Sequence, residues 1–198
     1  MPMRRRTLLS LVALTGLSPA LARAEDPRLG ERALGKPDAK NQVVELFSLT
    51  CIHCAAFARE TFPEVKAKLI DTGKLYYIFH DFPLDQVALT AAMVARALPA
   101  ARYEPFIGAL FASQDRWAFA QGVNSTDEIW KLAALAGMSR ATFDATVADT
   151  AFRDAILAQQ KADATRWHVD STPSFVVNGE MHAGEMGYET FSKLIPDA

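Results

Sequence analysis

Cysteine is scarce in this 198-residue chain: Cys51 and Cys54 are its only two. One bridge at most can form, so the chain is not a disulfide-stapled scaffold, and its core must come from apolar packing. There is no second C-x-x-C and no close histidine pair to complete the four ligands of a structural zinc site. Ala55, not histidine, follows Cys54, which excludes a c-type haem attachment. No surplus of one charge exists, since the formal net charge is −2. A nucleic-acid partner, a phosphate-binding surface and a membrane-binding surface are therefore not indicated. No apolar run approaches the roughly 20 residues needed to cross a bilayer.

Half the residues are hydrophobic, enough for a sizeable core. The N-terminus reads as an export signal covering residues 1–24. Arg4-Arg5-Arg6 precedes an apolar stretch from Thr7 to Leu17, and Ala22-Arg23-Ala24 fits a small-x-small cleavage site before Glu25. Arg5-Arg6-Thr7-Leu8-Leu9 is also similar to a twin-arginine signal, so the Sec and Tat routes both stay open. Removing this segment takes four arginines and no acid, which moves the net charge from −2 to −6. Residues 25–198 then suit one domain in an exported, periplasmic protein.

The apolar run Val43–Leu49 has the character of a strand buried on both faces. Glu45 interrupts it, and a carboxylate there is costly unless it is paired, functional or turned outward. Cys51-Ile52-His53-Cys54 follows, where the strand gives way to a helical pattern running to about Asp71. Pro63 is expected to kink that helix. A helix N-terminus presents unpaired N–H groups and partial positive charge, both of which stabilise a thiolate. Cys51 is thus the expected attacking thiol and Cys54 the covered, resolving one. A protonated His53 would add to the thiolate's stability. A half zinc site and an inert staple are the other readings of the pair. The staple is weak, because so short a loop constrains little chain entropy.

Thr72-Gly73 ends the helix and Lys74–Phe79 reads as a second strand, parallel to the first. A weak edge strand is signalled near Glu31–Leu34, with a turn at Gly35-Lys36-Pro37-Asp38. From about Gln86 to Trp167 the periodicity is helical throughout. One apolar stripe runs Val87, Ala91, Val94, Leu98, and a second helix after Tyr103 carries Pro105 in its first turn. Ser125-Thr126-Asp127-Glu128 has capping-box spacing, Gly137 is a stop, and Ser139 and Thr150 read as N-caps. Met93, Phe106, Phe111, Trp117 and Trp130 are expected in the core. Ser174–Val177 is a short strand, Asn178-Gly179 a two-residue hairpin turn, Met181–Ala183 its return, and Tyr188–Ile195 a closing helix. Thr172-Pro173 stands before the strand; the default for its peptide bond is trans.

These pieces together resemble the DsbA family of thiol:disulfide oxidoreductases from bacterial envelopes. The resemblance covers about Gly35 to Ile195. It rests on Cys51-Ile52-His53-Cys54, on Asp81-Phe82-Pro83-Leu84, and on Ser171-Thr172-Pro173-Ser174-Phe175 followed by Asn178-Gly179. It implies an α/β, thioredoxin-like fold with an inserted all-helical subdomain at about 86–167. It implies catalytic roles for Cys51, Cys54, His53, Glu45 and Pro173. Pro173 would be a cis-proline facing the disulfide, Thr172 would help hold substrate backbone, and Glu45 would be a buried acid assisting proton transfer at Cys54. Ile52 departs from the family's proline between the cysteines, a position that tunes oxidising strength.

The implied activity is introduction of disulfides into exported proteins. The redox-active Cys51–Cys54 pair would serve, with no cofactor and no metal. The implied partners are reduced exported proteins and a quinone-linked, DsbB-like membrane oxidase. With no second cysteine pair and no obvious N-terminal dimerisation segment, a monomer is expected. Two rival readings are an envelope reductase or isomerase on the same fold and a copper-handling protein using Cys51, Cys54 and His53. Redox potential separates the first, and metal titration of the reduced protein the second.

Overall fold

The computed structural model describes residues 26–196. The export signal read at 1–24 lies outside the described residues. Among these residues, no helix is long and apolar enough to cross a membrane.

The sheet has five strands: β1 (Ala33–Leu34), β2 (Asn41–Phe47), β3 (Leu75–Asp81), β4 (Ser174–Val177) and β5 (Glu180–Ala183), in spatial order β1-β3-β2-β4-β5. β2 and β3 are parallel, and the other neighbours are antiparallel. Six of the seven residues of central β2 are buried. This follows from helices covering both faces of the sheet. Val43 and Phe47 face the larger core, while Val44 and Leu46 pack with Ile78, Phe82, Val169 and Val176 on the other side. Glu45 shares the larger-core face and is 4% exposed, so the outward-facing alternative does not apply.

The helix after β2 runs unbroken from Ile52 to Ile70, but its pitch alternates. The α turns α1 (Ile52–Ala56) and α2 (Phe62–Val65) are separated and followed by π turns at Phe57–Thr61 and Lys66–Ile70. Pro63 cannot donate a backbone hydrogen bond. Next to it, Phe62 N–H reaches back five residues, to Phe57 O. The hydrogen-bond ladder widens beside the proline that was expected to kink the helix.

Between β3 and β4 the chain is helical: α3 (Gln86–Ala97), α4 (Ala100–Ala112), α5 (Gln114–Trp117), α6 (Ser125–Leu135), α7 (Arg140–Ala148) and α8 (Thr150–Trp167). A short helix α9 (Tyr188–Lys193) closes the fold. This is the α/β architecture that the family resemblance implies. Three local expectations are corrected. α4 begins at Ala100, so Pro105 lies inside the helix. α6 is capped by Asn124, whose side chain accepts from Thr126 N and Asp127 N, and not by Ser125. α8 is capped by Asp149 in place of Thr150. In each corrected cap, an amide or carboxylate one residue earlier is better placed to reach the first free N–H groups.

Aromatic rings join the larger core to the sheet. Phe57 of the first helix packs tilted against Phe175 of β4 at 4.6 Å, and Phe175 meets Phe191 of α9 edge-on at 5.5 Å. Such pairs add about 0.5–1.5 kcal/mol beyond burial. At Gly35 the chain takes φ +90°, and a Cβ there would lie 2.3 Å from Leu75 O, so only glycine closes this approach to β3. Asn178 and Gly179 both have positive φ, as the tight hairpin between β4 and β5 requires.

One buried charge cluster locks the helical block to β3. Arg96 of α3 donates to Asp81, and Tyr103 of α4 donates to both oxygens of the same carboxylate at 3.1 Å. Arg96 and Asp81 are 7% and 4% exposed. Removing one partner strands the other charge without water. Asp81→Ala is therefore expected to cost about 3–5 kcal/mol in denaturant unfolding. A variant of wild-type stability would show that the cluster does not hold the block in place.

Candidate functional site

Cys51 is the N-cap of α1, in extended conformation, and its Sγ accepts from Cys54 N at 3.4 Å. The turn leading into it is held from both sides. Cys51 N donates to Ser48 O at 3.0 Å. Gln114 of α5, which is buried, donates its amide to Leu49 O at 2.8 Å and to Cys51 O at 3.0 Å. The two cysteines are not joined in this structure. Cys51 is half-buried and Cys54 is wholly enclosed by the core.

The two sulfurs have opposite acidities. The Cys51 thiol is lowered to about 5. The Cys54 side chain contributes most, ahead of Thr172 and the backbone N–H groups of Cys54 and His53, while burial opposes them. Cys54 moves strongly the other way, first through burial and then because its thiol proton is committed to Cys51. A thiolate at Cys51 and a thiol at Cys54 is thus the stable pairing of protons.

Thr172 and Pro173 reach this site from the segment just before β4, the neighbour of β2 in the sheet. The Thr172 carbonyl lies 3.2 Å from Cys51 Sγ, where the thiol form donates to it. The Thr172 hydroxyl is buried here, and it is the side chain of this residue, not its carbonyl, that favours the thiolate. The Thr172–Pro173 bond is cis, as the family resemblance implies and against the trans default. Pro173 O accepts from Gly184 N at 2.8 Å, which fixes the loop beyond β5 beside it.

Glu45 lies beneath the pair. Its carboxylate accepts from the Tyr77 hydroxyl at 2.8 Å, and both side chains are fully enclosed. Burial raises Glu45 to about 8; the Tyr77 hydrogen bond opposes this and the charge of Cys51 adds to it. Glu45 also acts on Cys54, raising it further. The histidine is placed differently from the cysteines. His53 is exposed, and its Nδ1 lies 3.0 Å from Glu185 Oε2 in the loop after β5. Its ring is engaged with a carboxylate, and what it gives Cys51 is a backbone N–H.

Among the residues proposed from sequence, the structure gathers Cys51, Cys54, Glu45, Thr172 and Pro173 about one point and directs the ring of His53 to the rim. Three contributors were not foreseen: Tyr77, Gln114 and Glu185. Tyr77 is inferable once β3 is paired beside β2. Gln114 and Glu185 carry no local pattern. Among the described residues no group of three or more His, Cys, Asp and Glu side chains is placed to hold a metal ion.

This geometry has relatives. A family model described as thioredoxin matches residues 28–197. α-DsbA1 of Wolbachia pipientis superposes with a TM-score of 0.78 at 31% identity, over 84% of this chain and 89% of that one. A protein-disulfide isomerase of Novosphingobium aromaticivorans gives a TM-score of 0.72 at 25% identity, over 83% of this chain and 97% of that one. A Rickettsia conorii protein named as a protein-disulfide oxidoreductase is 28% identical over 169 residues, which is 85% of this chain but 60% of that protein. The chain thus spans about three fifths of the length of such curated relatives.

Thiolate absorbance of the fully reduced protein should titrate with a midpoint near 5. Cys54→Ala should move that midpoint upward, because the largest stabilising contact is lost. A midpoint that stays put in the variant would assign the acidity of Cys51 to the helix terminus alone.

Proposed function

This chain belongs to the thioredoxin family, within which its structure is of the DsbA type, and on that premise we propose that it is an exported thiol:disulfide oxidoreductase working as a dithiol oxidase. The observation that carries the reading is the opposed acidity of Cys51 and Cys54 at one helix start. Whatever stabilises the Cys51 thiolate stabilises the reduced enzyme, and a stable reduced form makes its disulfide a strong oxidant.

The reaction runs in two exchanges. A substrate thiolate attacks Cys51 Sγ of the Cys51–Cys54 disulfide, forming a mixed disulfide and expelling Cys54. The departing Cys54 sulfur takes a proton from Glu45, whose raised pKa of about 8 lets it carry that proton near neutral pH. A second substrate thiolate then attacks the substrate sulfur of the mixed disulfide and expels Cys51 as a thiolate. The substrate leaves with a disulfide and the enzyme holds the two electrons. A quinone-linked membrane thiol oxidase is the acceptor that would restore Cys51–Cys54. The half-exposed Cys51, beside the Thr172-Pro173 backbone, is where an extended substrate segment would lie. Reduced exported proteins in the periplasm are the substrates this reading supplies, with the chain acting as a monomer.

The test is equilibrium of the Cys51–Cys54 pair against glutathione. A potential well above the roughly −270 mV of thioredoxin is expected of an oxidase. A potential near or below that value would make the protein a reductase and point to Ile52, exposed between the cysteines, as the residue responsible.

A further inference from the structure

Cys54 and Glu45 are both buried, so neither exchanges protons freely with solvent. A proton given by Glu45 to Cys54 must still be replaced from outside, and a proton accepted from Cys54 must leave. The structure offers a way out through a cavity that Glu45 itself lines. A cavity of about 50 Å³ lies there, walled by Phe57, Phe62, Phe79 and Phe111. Among the described residues, two ionisable side chains line it, the enclosed Glu45 and the half-buried Glu104 of α4. Glu104 and Phe79 also line a second cavity, of about 280 Å³, on the β1 side of α4. The first volume exceeds the roughly 10–15 Å³ that one water needs, and a carboxylate from each residue supplies the polar partners such water requires.

We propose that Glu104 is the outer relay of a proton path that joins Glu45 to solvent through this cavity. This rests on the proposed role of Glu45 at Cys54. In the opening direction, the Cys51–Cys54 bond breaks, a bond forms between Cys51 Sγ and the incoming thiolate, and Cys54 takes the Glu45 proton. Glu45 is then reprotonated through cavity water from Glu104, which recovers its proton from solvent. In the closing direction each transfer reverses. Glu104 is suited to the task because burial raises its hold on a proton, with Lys66 opposing and Asp71 adding to the effect. It touches no sulfur and is a positioning residue for protons, not a catalytic one. Phenylalanine walls exclude side reactions by keeping other acids and bases from the path.

A relay changes rates and not equilibria, which separates it from a mere charge. The experiment uses the full chain as a Cys51–glutathione mixed disulfide at pH 7, with closure by Cys54 and the reverse opening by glutathione followed by acid quench. Glu104→Gln should slow closure and opening by the same factor, about three- to tenfold, less than the ~100-fold typical of removing a directly acting acid or base. The equilibrium ratio should not move, and Glu104→Asp should restore most of the rate. Unchanged rates in Glu104→Gln, where Glu45→Gln is slow, would overturn the path and leave the role of Glu45 standing. A shifted ratio without common slowing would overturn it too, as a charge effect. If Glu45→Gln is also fast, both readings fall together.

Discussion

A negative charge on one sulfur, held at the mouth of an apolar core, is the condition on which the rest of this structure depends. Cys51 meets it by standing as the N-cap of a helix that continues to Ile70, with Cys54 beneath it. The second sulfur, being buried, cannot share the charge. The pair is therefore polarised, one member poised to leave as a thiolate and the other to keep its proton. A short helix start could not hold this arrangement alone. Gln114 fixes the turn from the helical block, and Thr172, just before β4, meets Cys51 Sγ, so three separate parts of the chain converge on the Cys51 turn.

Glu45 is the cost of that arrangement and part of its use. A carboxyl group in the middle of a central strand must either be neutral or be matched by a cation, and burial makes neutrality the favoured choice up to about pH 8. Tyr77 satisfies one oxygen without supplying a charge. A neutral carboxylic acid beside a thiol that must lose and regain its proton is chemically apt. The buried Asp81–Arg96 pair shows the other solution to the same problem. There a cation on α3 matches the acid, and the pair serves to fasten the helical block to β3.

Much of this was legible in the sequence because it is written in local patterns. The Val43–Leu49 run, the position of the cysteines at a strand–helix junction and the Asn178-Gly179 turn each follow from periodicity or turn chemistry within a few residues. The helix after Cys51 was legible in extent but not in pitch. Pro63 announces a missing donor, yet whether the ladder kinks or widens depends on packing of Phe57 and Phe62 against β3, β4 and α9. Caps slipped by one residue at Asn124 and Asp149, since several adjacent side chains could serve. The partners of the site residues were the least legible. Glu185 meets His53 across 132 positions of sequence, and Gln114 reaches the Cys51 turn across 63. Nothing in either neighbourhood signals the meeting, because the fold alone creates it.

The most direct measurement is the slope of the reduction potential of Cys51–Cys54 against pH between about 6 and 7. If Cys51 is already a thiolate there and only Cys54 binds a proton on reduction, two electrons travel with one proton. The slope should then be about 30 mV per pH unit, the tenfold step of a two-electron couple. A slope of about 59 mV per pH unit would mean that both sulfurs are protonated on reduction. That result would contradict the polarised pair on which the function has been argued.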